Sequence, residues 1–141
     1  MEIKITFPGG KRVTAEFSGS GETDGMKVET DQPVKYGGDG SAPEPFKIFL
    51  ASIGTCAGIF ILGFCQKNGI PTDNISLVQR HEYESEGPGK SRLSRLVIDI
   101  VVPKDFPAKY HDALIRVADQ CAVKKAIMSP PEFLINMVVA A

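Results

Sequence analysis

Three cysteines, Cys56, Cys65 and Cys121, carry the side chains best suited to chemistry in this chain. A thiol can be inert filling, or a nucleophile if a cationic or hydrogen-bonding neighbour lowers its pKa. Cys56 lies in Ser52-Ile-Gly-Thr-Cys56-Ala-Gly58, among small residues, inside an uncharged run from Ile48 to Cys65. Cys65 follows it at a spacing that, at about 100° per residue, points to the opposite side of a helix, so it reads as core filling. Cys121 falls on the apolar face of a second helical segment, with Tyr110, Leu114, Val117 and Ala118. Two helices that each present a cysteine inward can bring their Cα atoms to the ~4.4–6.8 Å that a disulfide needs. If they met, one thiolate would attack an oxidant, become a sulfenic acid and be resolved by the other thiol. Spacing alone leaves this open, and the commonness of merely buried cysteine favours the inert reading slightly.

Other polar residues offer less. Lys47 precedes Cys56 by about two and a half helical turns and reads as a solvated first-turn lysine. Glu44 suits the helix N-terminus, and Glu132, after paired prolines, is a turn acid that could stand in as a catalytic one. His81 and His111 have no metal-ligand partner at useful spacing, and there is no Cys-x-x-Cys, so no metal is expected. Gly37-Gly38-Asp39-Gly40 lacks the following Lys-Ser/Thr of a phosphate loop.

The elements that must position these residues can be read from periodicity. Glu2–Phe7 and Lys11–Phe17 alternate around Pro8-Gly9-Gly10 and predict a hairpin, with Met26–Thr30 as a third strand. Residues 31–45 carry three prolines and three glycines and read as loop, with Ser41 a possible N-cap. A helix is then expected to about Lys67, stopped by Asn68-Gly69. Ser76–Ser85 places Leu77, Gln79, His81 and Tyr83 on one side. After the Glu86–Gly89 turn, Leu96, Ile98, Ile100 and Val102 share a face. A second helix is expected from about Asp105 and Pro107 to a last turn holding Lys124 and Lys125, and Phe133–Val139 reads as a closing strand. The order βββ-α-ββ-α-β indicates an α+β fold in one domain over 1–141.

At 43% hydrophobic, 23% charged and net charge −1, the composition is that of a globular protein and gives no electrostatic case for nucleic acid or an anionic membrane. The uncharged run reaches the ~18 residues at which a membrane span must be considered. Its glycines, Ser52, Thr55 and the flanking strands favour a buried core helix instead. No secretory signal pattern opens the chain, and an odd cysteine count makes no disulfide framework, so a cytoplasmic location with free thiols is expected.

Pro45-Phe-Lys-Ile-Phe-Leu-Ala-Ser-Ile-Gly-Thr-Cys56, followed some 65 residues later by Cys121-Ala-Val-Lys-Lys125, resembles the osmotically inducible protein C/organic hydroperoxide resistance (OsmC/Ohr) family. The Gly37-Gly38 loop and the element order agree. The resemblance implies an intertwined homodimer with long apolar helices packed centrally and active sites at the subunit interface. It also implies thiol-dependent reduction of organic hydroperoxides, with no metal, haem or other cofactor and with an external thiol reductant. Cys56 then matches the peroxidatic cysteine and Cys121 the resolving one, while Cys65 matches no catalytic position. Family peroxidases carry a glutamate one or two residues after the proline, where this chain has Phe46 and Lys47. They also use an arginine from the N-terminal region, a role in which the motif does not place Arg12. The alternative is a non-catalytic dimer holding a small apolar or thiol-reactive ligand at its interface.

Overall fold

The computed structural model describes residues 1–140, which divide after Ala51 into two compact units. In the first, β1 (Glu2–Gly9), β2 (Arg12–Ser18) and β3 (Lys27–Thr30) form an antiparallel sheet in sequence order. The alternation read from the sequence sets the register, with Ile3 opposite Phe17, Ile5 opposite Ala15, and Ala15 in turn opposite Val28. Ile3, Ile5 and Phe7 share one face of β1, and all three are exposed.

The loop after β3 is organised by one buried carboxylate. Asp31 is 1% exposed. Its Oδ1 accepts the Gln32 amide (2.7 Å), and its Oδ2 accepts the Asp39 amide (3.2 Å), the Ser41 amide (3.0 Å) and the Ser41 hydroxyl (2.7 Å). Ser41 is therefore not the N-cap its sequence suggests, because its hydroxyl is committed to Asp31. Gly38 has to be glycine here: a Cβ would overlap the Gln32 carbonyl oxygen and stand 2.9 Å from Asp31 Oδ1.

The long helix α1 runs Pro45–Lys67. Proline at its first position needs no intrahelical donor. At the other end the Ile70 amide bonds the Cys65 carbonyl (2.9 Å) and the Gly69 amide the Gln66 carbonyl (3.3 Å), which closes a Schellman motif. Ile53, Ala57, Ile61 and Cys65, spaced by four, form its buried stripe. The other face is not covered: Phe46, Phe49, Ile59 and Leu62 are exposed, Ile59 at 65%. By length and composition α1 could cross a membrane, and 28% of its most apolar window is buried. The buried core helix expected from the sequence is covered on one side only within the single chain.

In the second unit, β4 (Ser76–Gly87) and β5 (Lys90–Val101) form an antiparallel hairpin. Leu77 faces Ile100, Gln79 faces Ile98 and His81 faces Leu96. A register shift between Glu82 and Tyr83 ends the alternation, which leaves Tyr83 exposed rather than on the side of Leu77. Ile61 and Cys65 of α1 pack with Phe106 and Leu114, joined by Leu77, Ile100, Tyr110 and Val117.

The second helix departs from the sequence reading. After a 3-10 turn at Ala108–Tyr110, α2 covers His111–Ala118 and stops; α3 covers Ala122–Met128. Cys121 has a non-helical backbone (φ −46°, ψ 119°) between the two helices. It is therefore the residue that starts α3, not a side chain midway along a continuous helical face. Phe133–Val139 forms no strand: residues 130–140 have no regular structure and their apolar side chains are exposed. β-propensity there is real, but a strand exists only where a partner strand accepts its hydrogen bonds, and none of the described strands does so.

Candidate thiol site

Cys56 and Cys121 are brought together. Cys56 lies at the start of the fourth turn of α1 and is partly exposed, whereas Cys121 is 2% exposed. All three cysteines are free thiols. As the N-cap of α3, Cys121 accepts the Lys124 amide on its sulfur at 3.3 Å, and it approaches the Ile53 carbonyl of α1 at 3.6 Å. Cysteine is an unusual cap, because Ser, Thr, Asp and Asn normally fill that role. Lys124 also pairs through its ammonium with Asp119 across the α2–α3 break.

The neighbours that favour the ionised Cys56 sulfur are the Val123 backbone amide, then the Cys121 side chain and the Ala122 amide. Each stabilises the thiolate over the thiol. Together, with the Val123 amide the largest contributor, they hold Cys56 below the ordinary cysteine range although burial opposes them. Cys65 is the contrast on the same helix. It is fully buried at 0% exposure, and burial alone pushes its thiol up. One α-helix thus carries a thiol poised to ionise and one held neutral. The single Cys121 proton can go to the Ile53 carbonyl or to the Cys56 sulfur, but not to both at once.

The remaining sequence candidates lie elsewhere. Lys47 pairs with Glu44 at 2.6 Å in the first turn of α1. Arg12 is exposed and donates to the Gly9 carbonyl at 3.4 Å. Glu132 is exposed in the irregular C-terminal segment. His111 stacks on Phe106 with ring centroids 5.8 Å apart. His81 bonds Gln79 at 2.6 Å, and the Gln79 carboxamide lies against Gly54, where a Cβ would stand 2.5 Å from its Oε1. The glycine loop 37–40 wraps the Asp31 carboxylate rather than a phosphate.

Sequence reasoning missed the two backbone amides that face Cys56. No side chain announces them; only Asp119-Gln120, interrupting the apolar pattern just before Cys121, marks the break that aims them.

Comparison with known proteins bears on the family and the fold. A family model described as OsmC-like protein matches residues 38–136. Among solved structures, a protein of Psychrobacter arcticus described as an osmotic stress induced and detoxification response protein aligns with a TM-score of 0.69 at 22% identity, over 88% of this chain and 85% of that one. An organic hydroperoxide resistance protein OsmC of Legionella pneumophila aligns with a TM-score of 0.54 at 20% identity, over 90% and 89%. A Vibrio cholerae protein described as an organic hydroperoxide resistance protein, with captopril bound in one of its active sites, aligns with a TM-score of 0.52 at 18% identity, over 92% and 86%. At these identities the structural likeness speaks for the fold alone. No curated protein is similar enough to match.

Proposed function

The chain belongs to the OsmC-like family, and from that premise we propose that it is a cysteine-based peroxidase that reduces organic hydroperoxides. The observation that carries this reading is Cys56: a partly exposed thiol, held toward its thiolate by the amides of Val123 and Ala122, with the Cys121 thiol beside it. That arrangement supplies a nucleophile and a resolving partner without the glutamate and arginine that family peroxidases use.

In the proposed reaction the Cys56 thiolate attacks the distal oxygen of the hydroperoxide, and the O–O bond breaks. The alkoxide leaves and takes a proton to become the alcohol, while Cys56 becomes a sulfenic acid. The Cys121 thiol then gives up its proton and its sulfur attacks Cys56, expelling hydroxide, which the proton converts to water. The product is a Cys56–Cys121 disulfide. An external dithiol returns two electrons and two protons to restore both thiols. In this reading the protein works in a reducing cytoplasmic setting, where both thiols are free between turnovers. The match across 38–136 spans both compact units and supports reading 1–141 as one domain.

The functional particle in this reading is a homodimer. The exposed apolar face of α1 and the apolar segment Phe133–Val139 are surfaces that a second copy would cover. The second reading, a non-catalytic dimer that binds a small apolar or thiol-reactive ligand, is favoured by Phe46 and Lys47 standing where a catalytic glutamate belongs. It also draws on captopril, a small thiol, in the Vibrio relative's active site.

One experiment separates the two. Reduced protein receives one equivalent of cumene hydroperoxide and its free thiols are counted over time. Peroxidase chemistry predicts rapid loss of two thiols in the wild type, loss of one in Cys121→Ser with a trappable sulfenic acid, and none in Cys56→Ser. Survival of all thiols for hours in the wild type would leave only the binding reading.

A further inference from the structure

The inner face of the β4–β5 hairpin carries two polar side chains that the thiol site does not use. Gln79 and His81 stand two apart on β4, so they share the face on which Leu77 packs against the core, and both are half-buried. Their cross-strand neighbours are Ile98 and Leu96. The Gln79 carboxamide nitrogen lies 2.6 Å from Nε2 of His81, and its Oε1 is turned to α1, where a Cβ on Gly54 would stand 2.5 Å away. A carboxamide nitrogen donates and never accepts, so His81 Nε2 must be the acceptor. The ring is then neutral, with its proton on Nδ1. Gly54 is what lets the carboxamide come so close to the helix.

We propose that Gln79 and His81 form an acid-sensitive latch between the β4–β5 hairpin and α1. With His81 neutral, the Gln79 carboxamide bonds the ring and presents its oxygen to Gly54. When Nε2 takes a proton it becomes a donor, and two donors cannot stay 2.6 Å apart. The carboxamide has to turn over, which offers Oε1 to the imidazolium and sets the NH2 group against Gly54. An oxygen accepts the Gly54 Cα hydrogens whereas NH2 crowds them, so the hairpin loosens from α1 two residues before Cys56. Neither neighbour on this face brings a carboxylate. β5 presents Leu96 and Ile98, and α1 is uncharged from Ile48 to Cys65, with Cys56 and Cys65 its titratable groups there. Arg80 and Glu82 point to the opposite face, paired with Asp99 and Arg95, and Tyr83 beyond the register shift is exposed. The latch goes beyond the peroxidase reading and stands or falls without it.

The test is imidazole and amide NMR of the reduced wild type, titrated between about pH 8 and 5, with Gln79→Leu and Gly54→Ala beside it. The chain has two histidines, so His81→Asn assigns the ring signals. At the alkaline end the His81 nitrogens should show the proton on Nδ1. On acidification the Gly54 amide and α-proton shifts should move with the same midpoint as the His81 ring. In Gln79→Leu the ring should still titrate while the Gly54 shifts lose that dependence. Gly54→Ala displaces the end of a flexible side chain and suits the helix, so α1 persists and the Nδ1 preference should be lost. A wild-type ring with its proton on Nε2, or Gly54 shifts that ignore His81, overturns the proposal. So does a Gly54 response that survives in Gln79→Leu, or an Nδ1 preference that survives Gly54→Ala. If neither variant folds, the wild-type tautomer and the Gly54 titration decide alone. Thiol counts after hydroperoxide report on the peroxidase reading separately, since none of these signals requires Cys56 to react.

Discussion

At the scale of single residues, two groups of different kind have their ionised forms favoured by neighbouring hydrogen-bond donors. Cys56 is an ionisable sulfur whose charged form is favoured by amide donors. Asp31 is a carboxylate held to about pKa 2, chiefly by the Ser41 hydroxyl and then by the Ser41 amide, against the burial that would raise it. Its folded value lies below the ordinary aspartate value of about 3.9, so its ionised form stabilises the fold fully above about pH 4. That contribution is lost as the pH falls through about 2. A thermal midpoint measured against pH should therefore show an acid limb between about pH 4 and 2 in the wild type. In Asp31→Asn the limb should shrink and the midpoint at neutral pH should be lower, because an amide places a donor where Asp39 and Ser41 also donate. An unchanged limb would assign the acid sensitivity to other carboxylates. Little of this was legible beforehand. The sequence marks Asp31 only as the start of a loop, because its partners lie up to ten positions away and are mostly backbone amides.

At the scale of elements, legibility followed locality. The end of α1 came from a local signal, Asn68-Gly69, and the helix stops at Lys67 as that signal requires, whereas its start lies at Pro45 and not after the N-cap that Ser41 suggested. Both hairpins were equally local. The division of the second helix was not, because every residue from Asp119 to Cys121 tolerates a helix and the break depends on what Cys121 meets across on α1. Packing then fixes α2: Leu114 is 2% exposed and sits with Ile61, Cys65 and Phe106. Leu114→Ala should cost about 2–5 kcal/mol of stability in urea unfolding, from lost transfer energy and the cavity left behind. A cost below about 1 kcal/mol would mean that the α2 contact collapses to refill the space. Gly38→Ala acts on the loop instead, and overlap with the Gln32 carbonyl should cost about 1–3 kcal/mol.

At the scale of the whole molecule, apolar surface is unevenly spent. Phe133–Val139 and the Ile59 face of α1 stay exposed in the single chain, more than scattered surface hydrophobes would account for. A dimer in solution is therefore expected by sedimentation at micromolar concentration. Ile59→Glu, which sets a charge on the outer face of α1, should shift the protein toward monomer by at least tenfold in dissociation constant, about 1.4 kcal/mol. If the glutamate variant remains a dimer of wild-type affinity, the interface lies elsewhere. The closing strand expected at 133–139 is not formed, and its apolar side chains are part of that exposed surface.

Cys65 gives the molecule a built-in clock. It shares a helix with the reactive thiol, yet no solvent reaches it while the second unit is closed. A reagent that labels Cys56 reports on the native state, and the same reagent reaching Cys65 reports the moment at which the core opens. One unmodified chain can thus report reactivity and cohesion in a single reaction, from two sulfurs on a common rod.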